Sequence, residues 1–123
     1  MASDVLIVDD SAAIRKILGR VLQQTEVITG TIFEAGDGIQ ALEVLREHPV
    51  SLVLSDINMP NMDGLEFLKA FRANAAWAKV PVVMITTEGS QAKVMEAVEA
   101  GASGYVRKPF TADQIKEKLL TLI

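Results

Sequence analysis

The sequence has no cysteine, which excludes a disulfide framework and any thiolate metal centre. Its single histidine, His48, stands directly before Pro49, where a helix should stop; it reads as a C-terminal cap or a solvated side chain and is given no catalytic role. No apolar run approaches the length needed to span a bilayer, and the opening Met1-Ala2-Ser3-Asp4 lacks the basic region of a signal peptide. An excess of positive charge is missing too: the net charge is −4, which argues against nucleic acid as a partner. The sequence also lacks internal repeats, low-complexity runs and linkers. What it has is 123 residues, of which 50% are apolar, enough for one domain with a real core. The expectation is a single domain over 1–123 with no output domain, cytoplasmic and not membrane-bound.

Val5-Leu6-Ile7-Val8 is an apolar run that fits a strand buried on both faces. It leads into Asp9-Asp10-Ser11, with Ser11 a candidate N-cap. Ile14, Ile17, Leu18, Val21 and Leu22 then recur at helical spacing, and the helix fades near Gln24. A shorter, more polar strand over Thr31–Ala35 belongs toward a sheet edge, and Ile39, Leu42 and Leu45 mark a second helix up to His48-Pro49. The third strand, Leu52-Val53-Leu54-Ser55, runs into Asp56, after which Pro60, Asn61, Asp63 and Gly64 force a loop. Leu65, Phe67, Leu68 and Phe71 mark the third helix, and Trp77 reads as a partly buried packing residue. Val80–Ile85 is the fourth strand, with Pro81 near its beginning where no ladder donor is needed. A helix from about Ser90 to Ala100 turns Val94, Ala97 and Val98 inward and closes at Gly101. A short strand near Gly104-Tyr105-Val106 follows, and Thr111 with Gln114 forms a capping box for a last helix with Ile115, Leu119 and Leu122 on its core face. Strand and helix alternate throughout, which implies an α/β fold with a parallel sheet and helices on both faces.

Because the strands are parallel, the residues that follow them lie at one edge, where open α/β sheets place their ligands. Those residues are Asp9 and Asp10, then Asp56 with Asn58 two positions on, then Thr86 and Thr87, then Lys108. Each has a duller reading: Asp9 or Asp10 could assist Ser11 in capping, the threonines are ordinary strand-end residues, and Lys108 could be a solvated charge. A hydrophobic core does not need the conjunction. Two carboxylates ~4 Å apart repel by about 4 kcal/mol at a surface-like effective dielectric, so the cleft must take up protons or a divalent ion. Oxygen donors without His or Cys favour Mg²⁺ over zinc. A carboxylate beside Mg²⁺ with a lysine opposite is equipped to accept a phosphoryl group as nucleophile, while the cations neutralise charge on the transferred group.

The stretches Val8-Asp9-Asp10-Ser11, Asp56-Ile57-Asn58-Met59-Pro60-Asn61-Met62-Asp63-Gly64, Thr86-Thr87-Glu88 and Gly101 to Phe110 resemble the receiver domains of bacterial two-component response regulators, nearest to the single-domain chemotaxis regulators. The resemblance covers essentially the whole chain. It implies a doubly wound, flavodoxin-like five-stranded parallel sheet in the order 2-1-3-4-5 with five helices; the strand order comes from the family and not from the pattern. It further implies that Asp56 is the phosphoacceptor, that Asp9, Asp10, Asp56 and the backbone carbonyl of Asn58 hold Mg²⁺, and that Lys108 pairs with a phosphoryl oxygen. Thr86 would be the switch hydroxyl and Tyr105 the aromatic that changes rotamer with it. Lys108-Pro109 would be a cis peptide. Asn58, Thr87 and Glu88 would tune the lifetime of the phosphorylated state, Thr87 being bulkier than the alanine often found there in such regulators. The implied phosphodonor is a sensor histidine kinase; a flagellar motor switch protein or a phosphatase are the implied further partners, reached through the fourth helix, fifth strand and fifth helix of a monomer.

Three other readings compete. A phosphorelay intermediate or phosphate sink would share every one of these residues. A haloacid dehalogenase-type phosphohydrolase needs its second Asp two residues after the nucleophile on the first strand, whereas Asp9 and Asp10 are adjacent. A flavin module needs a Ser/Thr/Gly phosphate cradle where this chain is acidic. The expectation is a phosphoacceptor signalling switch, not an enzyme, with intrinsic autophosphorylation and autodephosphorylation activity.

Overall fold

The computed structural model describes residues 4–24, 30–87 and 90–122. Its elements alternate as β1 (Val5–Val8), α1 (Ala12–Gln24), β2 (Ile32–Ala35), α2 (Gly38–Glu47), β3 (Leu52–Ser55), α3 (Gly64–Ala73), a 3-10 turn at Ala75–Trp77, β4 (Val82–Thr86), α4 (Gln91–Glu99), β5 (Gly104–Arg107) and α5 (Ala112–Leu120). The strands form one parallel sheet in the order β2-β1-β3-β4-β5. This is the expected doubly wound topology, with the polar strand β2 at an edge.

Alternation along each strand divides the core in two. Leu6, Val8, Val53, Val82 and Met84 face one side, where Ala41 and Leu45 of α2, Leu65, Phe67, Leu68 and Phe71 of α3, and Ala97 of α4 cover them. Val5, Ile7, Leu52, Leu54, Val83, Ile85 and Val106 face the other, under Leu18, Val21 and Leu22 of α1 and Ile115 and Leu119 of α5. Fully buried side chains such as Phe67 and Phe71 each contribute about 1.5–3 kcal/mol over leaving them in water.

The helix ends follow local chemistry. Asp37 caps α2, and Asp63 caps α3 in a capping box with Glu66. Thr111 and Gln114 make the expected box at α5. Gly101 closes α4 with a φ of 107°, the left-handed region that favours glycine. Trp77 is half-buried and stacks on Phe71 at 5.1 Å. The ring of His48, which caps the end of α2, stacks on Phe33 at 4.5 Å.

Several expectations need correction. Helical spacing assigns Ile17, Ile39 and Val98 to the core, yet they are 47%, 46% and 55% exposed. Each directly adjoins a buried residue on its helix (Leu18, Gly38 and Ala97), so it is turned about 100° from it, past the margin of the apolar arc. β2 begins at Ile32, not Thr31, and β4 spans Val82–Thr86, not Val80–Ile85. Pro81 offers the ladder only its carbonyl, which accepts from the Val53 N–H at 3.0 Å. At the other end the Lys108 N–H donates to the Thr86 carbonyl at 2.9 Å, which carries the pairing one residue further.

Candidate functional site

The carboxyl edge of the sheet gathers the residues singled out above. Asp9 follows β1, and its N–H donates to the Ala35 carbonyl at 3.0 Å, so the ladder to β2 fixes its backbone. The Asp56 N–H is fixed likewise by the Val8 carbonyl at 2.9 Å. Asp9 is 1% exposed and Asp56 8%, whereas Asp10 is exposed. Carboxylate oxygens of Asp9, Asp10 and Asp56 nevertheless all lie within 4.8 Å of one another. The capping role considered for Asp9 is also present: its Oδ1 accepts the Ser11 N–H at 2.8 Å, and Ser11 Oγ accepts the Ile14 N–H at 3.3 Å. One aspartate does both jobs, with Oδ1 turned to the helix and Oδ2 to the site.

Lys108 sits between the two buried carboxylates. Its Nζ donates to Asp9 Oδ2 at 2.7 Å and to Asp56 Oδ2 at 3.2 Å. The Lys108–Pro109 bond is cis, as expected. The other Asp56 oxygen, Oδ1, accepts the Ile57 N–H at 2.7 Å. Burial draws the Lys108 ammonium pKa down, but the hydrogen bond to Asp9 and the charges of Asp56 and Asp9 outweigh it, and the net direction is up. Burial pushes the Asp9 carboxyl up, and Lys108 and the Ser11 N–H do not fully offset that. One ammonium serves two carboxylates at hydrogen-bond distance, with Asp10 adding a third carboxylate nearby, so the ion pair favours the charged ammonium and leaves the Asp9 carboxylate undercompensated. The cluster is short of positive charge.

The donor set is oxygen-only, convergent and undercompensated, which fits a hard dication such as Mg²⁺. A close-fitting loop supports it. A Cβ at Gly64 would collide with the Asp56 carbonyl oxygen, so only glycine lets α3 start this close to the acidic strand end. Ser55 Oγ donates to that same carbonyl at 2.9 Å.

Thr86 is the last residue of β4 and fully buried, and Thr87 beside it is exposed. In the β4–β5 register Met84 opposes Tyr105 and Thr86 opposes Arg107, which puts Thr86 and Tyr105 on one face of the sheet. Tyr105 is half-buried against the cluster that includes Ala97 of α4. Asn58 is exposed in the loop after Asp56. Glu88 lies outside the described residues.

Sequence reasoning missed Arg15. Its guanidinium donates from Nη1 to the Asp9 carbonyl and from Nε to Glu34 Oε1 at 3.0 Å, while Lys16 holds Glu34 Oε2 at 3.0 Å. Its signal was a basic residue one turn into the helix that follows an acidic strand end.

The profile of the response regulator receiver domain matches residues 5–120. The chain belongs to that family. This receiver domain is 40% identical over 116 residues to the chemotaxis protein CheY homolog of Campylobacter jejuni, an alignment covering 94% of this chain and 88% of the relative. Among solved structures it is similar to Vibrio cholerae chemotaxis protein CheY4, with a TM-score of 0.91 and 34% identity over the full length of both chains. A CheY-like receiver domain from Methanospirillum hungatei superposes with a TM-score of 0.88 at 26% identity, covering 98% of this chain and 93% of that one. Receiver domains bind Mg²⁺ and take phosphoryl groups from histidine kinases, and the acidic cluster is the feature of this fold suited to both. None of the helices among the described residues is long and apolar enough to cross a membrane.

Proposed function

We propose that this receiver domain is a chemotaxis response regulator in which Asp56 accepts a phosphoryl group from a phosphohistidine of a sensor kinase. An Asp56 carboxylate oxygen attacks phosphorus; the O–P bond forms as the P–N bond breaks, and the electron pair leaves with the imidazole. The observation that carries the reading is the Lys108 ammonium held at 2.7 and 3.2 Å between Asp9 and Asp56. Asp9, Asp10, Asp56 and the Asn58 carbonyl would hold Mg²⁺, which when bound supplies charge neutralisation to the phosphoryl oxygens. Lys108 is placed to move from Asp56 Oδ2 to a phosphoryl oxygen, and the ladder bond from its own N–H to β4 limits where its side chain can reach. The Ile57 N–H keeps the second carboxylate oxygen oriented.

Signalling requires that the phosphoryl group interact differently with two arrangements of the protein. Thr86 is the group that supplies the difference: its hydroxyl, at the end of β4, gains an acceptor in the phosphorylated state. Tyr105, on the same sheet face, follows the space Thr86 vacates and alters the surface of α4, β5 and α5. Asn58, two residues after Asp56, and Thr87, with Glu88 by its sequence position two residues after Thr86, set the lifetime of the phosphorylated state. The names of the relatives favour chemotaxis, and the partner class that goes with this reading is a flagellar motor switch protein.

Transfer from an autophosphorylated histidine kinase tests this. Label should pass to the wild-type chain with Mg²⁺, and not with a chelator or in Asp56→Asn. Phosphorylation should tighten binding of a motor-switch peptide, with Thr86→Ala uncoupling the two. Transfer to Asp56→Asn at the wild-type rate would end the proposal.

A further inference from the structure

The loop from Asp56 to Gly64 carries both the phosphoacceptor and the Asn58 carbonyl. Its two ends are held by its own strand and helix. Its middle is held from outside. Asp37, at the start of α2, is 4% exposed, a carboxylate that burial would penalise unless hydrogen-bonded. Its Oδ1 accepts the Gln40 N–H at 2.9 Å and so caps α2. Its Oδ2 accepts from the Asn61 side-chain amide at 2.8 Å. One residue further along each segment, the Gly38 N–H donates to the Met62 carbonyl at 3.1 Å. A Cβ at Gly38 would lie 2.6 Å from Met62 Cγ, so the two turns touch with no room between them. Asn61 has a φ of 65°, left-handed geometry that asparagine tolerates better than most residues. The loop reverses at the residue whose side chain is anchored.

Capping α2 needs only one carboxylate oxygen. The second oxygen is spent on a residue 24 positions away, in the segment that delivers the site. We infer that Asp37 and Asn61 are positioning residues for phosphoryl transfer: their bridge, with the Gly38–Met62 bond beside it, fixes the loop so that Asp56 and the Asn58 carbonyl converge on one point. This rests on the phosphoacceptor reading of Asp56. Neither residue touches the reacting atoms; they act through the backbone between Ile57 and Met62. Misplacing reacting groups by about 1 Å costs on the order of a hundredfold in rate, and a loosened loop costs part of that.

The test is a charge swap. Asn61→Asp keeps the size and the tolerance of a left-handed backbone but sets a carboxylate against Asp37. Asp37→Asn combined with Asn61→Asp restores the bridge with its polarity reversed. The introduced amide can cap α2 through its oxygen and donate to the introduced carboxylate through its nitrogen. Asn61→Gly keeps the backbone and deletes the bridge. Each folded protein is read two ways: the rate of phosphorylation by acetyl phosphate with Mg²⁺, and, without metal, the NMR shift of the Ile57 amide that donates to Asp56. Asn61→Asp and Asn61→Gly should phosphorylate roughly tenfold more slowly and shift that amide, and the swap should return both signals toward wild type. Rates within twofold of wild type, or a swap that regains thermal stability but neither the rate nor the amide shift, would overturn the inference. Should the wild type itself take no phosphoryl group, the phosphoacceptor reading fails, and an Ile57 amide unmoved by Asn61→Asp would separately refute the positioning role.

Discussion

The two edges of the sheet each enclose a long cation, and they use it in opposite ways. At the amino edge Arg72, in the last turn of α3, donates to the carbonyls of Gly101 at 3.0 Å, Trp77 at 3.0 Å and Val80 at 2.7 Å, and lies over the Phe71 ring at 5.5 Å. Its partners are neutral dipoles, its planar fork is matched to them, and burial draws its pKa down. At the carboxyl edge Lys108 meets two carboxylates that it cannot both neutralise. The amino edge is a completed knot that ties the loop after α3 to the α4–β5 turn. The carboxyl edge is an unfinished one. A buried charge whose hydrogen bonds close among neutral groups holds a fold together; one left with excess opposite charge marks where a ligand belongs.

The sharpest way to break this contrast is to delete each cation. Lys108→Ala should slow phosphorylation by about 10²–10³-fold, the usual cost of removing one charge-stabilising donor, with the fold retained. Arg72→Ala leaves several carbonyls unpaired and should cost about 3 kcal/mol of stability, seen as a lower urea midpoint, with the phosphorylation rate unchanged in the folded protein. Equal effects on rate from both substitutions would erase the distinction.

Asp9→Asn comes next. Because the folded-state pKa of Asp9 is raised, its ionised form costs stability at neutral pH, and that cost is relieved as pH falls through the raised value. The substitution should therefore raise the Tm of the metal-free protein and remove the rise in Tm that Mg²⁺ gives the wild type. A metal-free Tm that falls would contradict the undercompensated cluster. Lys108 has the complementary sign: its raised pKa gives stability present below its ordinary value of 10.5 and lost as pH rises through the folded value.

The smallest effect belongs to Glu34. Burial raises its pKa, but the hydrogen bonds and charges of Lys16 and Arg15 overcome that, and the net direction is down. Its contribution is present above the ordinary value of 4.5 and lost as pH falls through the lowered one. The side chain is 30% exposed, so Glu34→Gln should cost under about 1 kcal/mol at neutral pH and flatten the acid limb of the stability curve.

The strands and the convergence of Asp9, Asp56 and Lys108 were legible in the sequence because a parallel sheet turns each apolar run and its terminal residue into a position in space. Gly101 and the Thr111–Gln114 box were legible because caps are local chemistry. Arg72, Arg15 and the Asp37–Asn61 bridge were not: each joins segments distant in the chain, and their residue types are common on helix surfaces and in turns. Ile17, Ile39 and Val98 mislead because spacing gives an arc of apolar residues but not its margin, which the neighbouring helices decide. In the sequence Thr86 reads as lying after its strand, because the bond from Lys108 that extends β4 comes from another strand's loop.

The most direct test is to incubate the protein with acetyl phosphate and Mg²⁺ and map the product by mass spectrometry after proteolysis. One added phosphoryl group on the peptide containing Asp56, absent when the metal is chelated, is the predicted result. A phosphoryl group carried by another residue, or none at all on a folded, Mg²⁺-loaded protein, would contradict it.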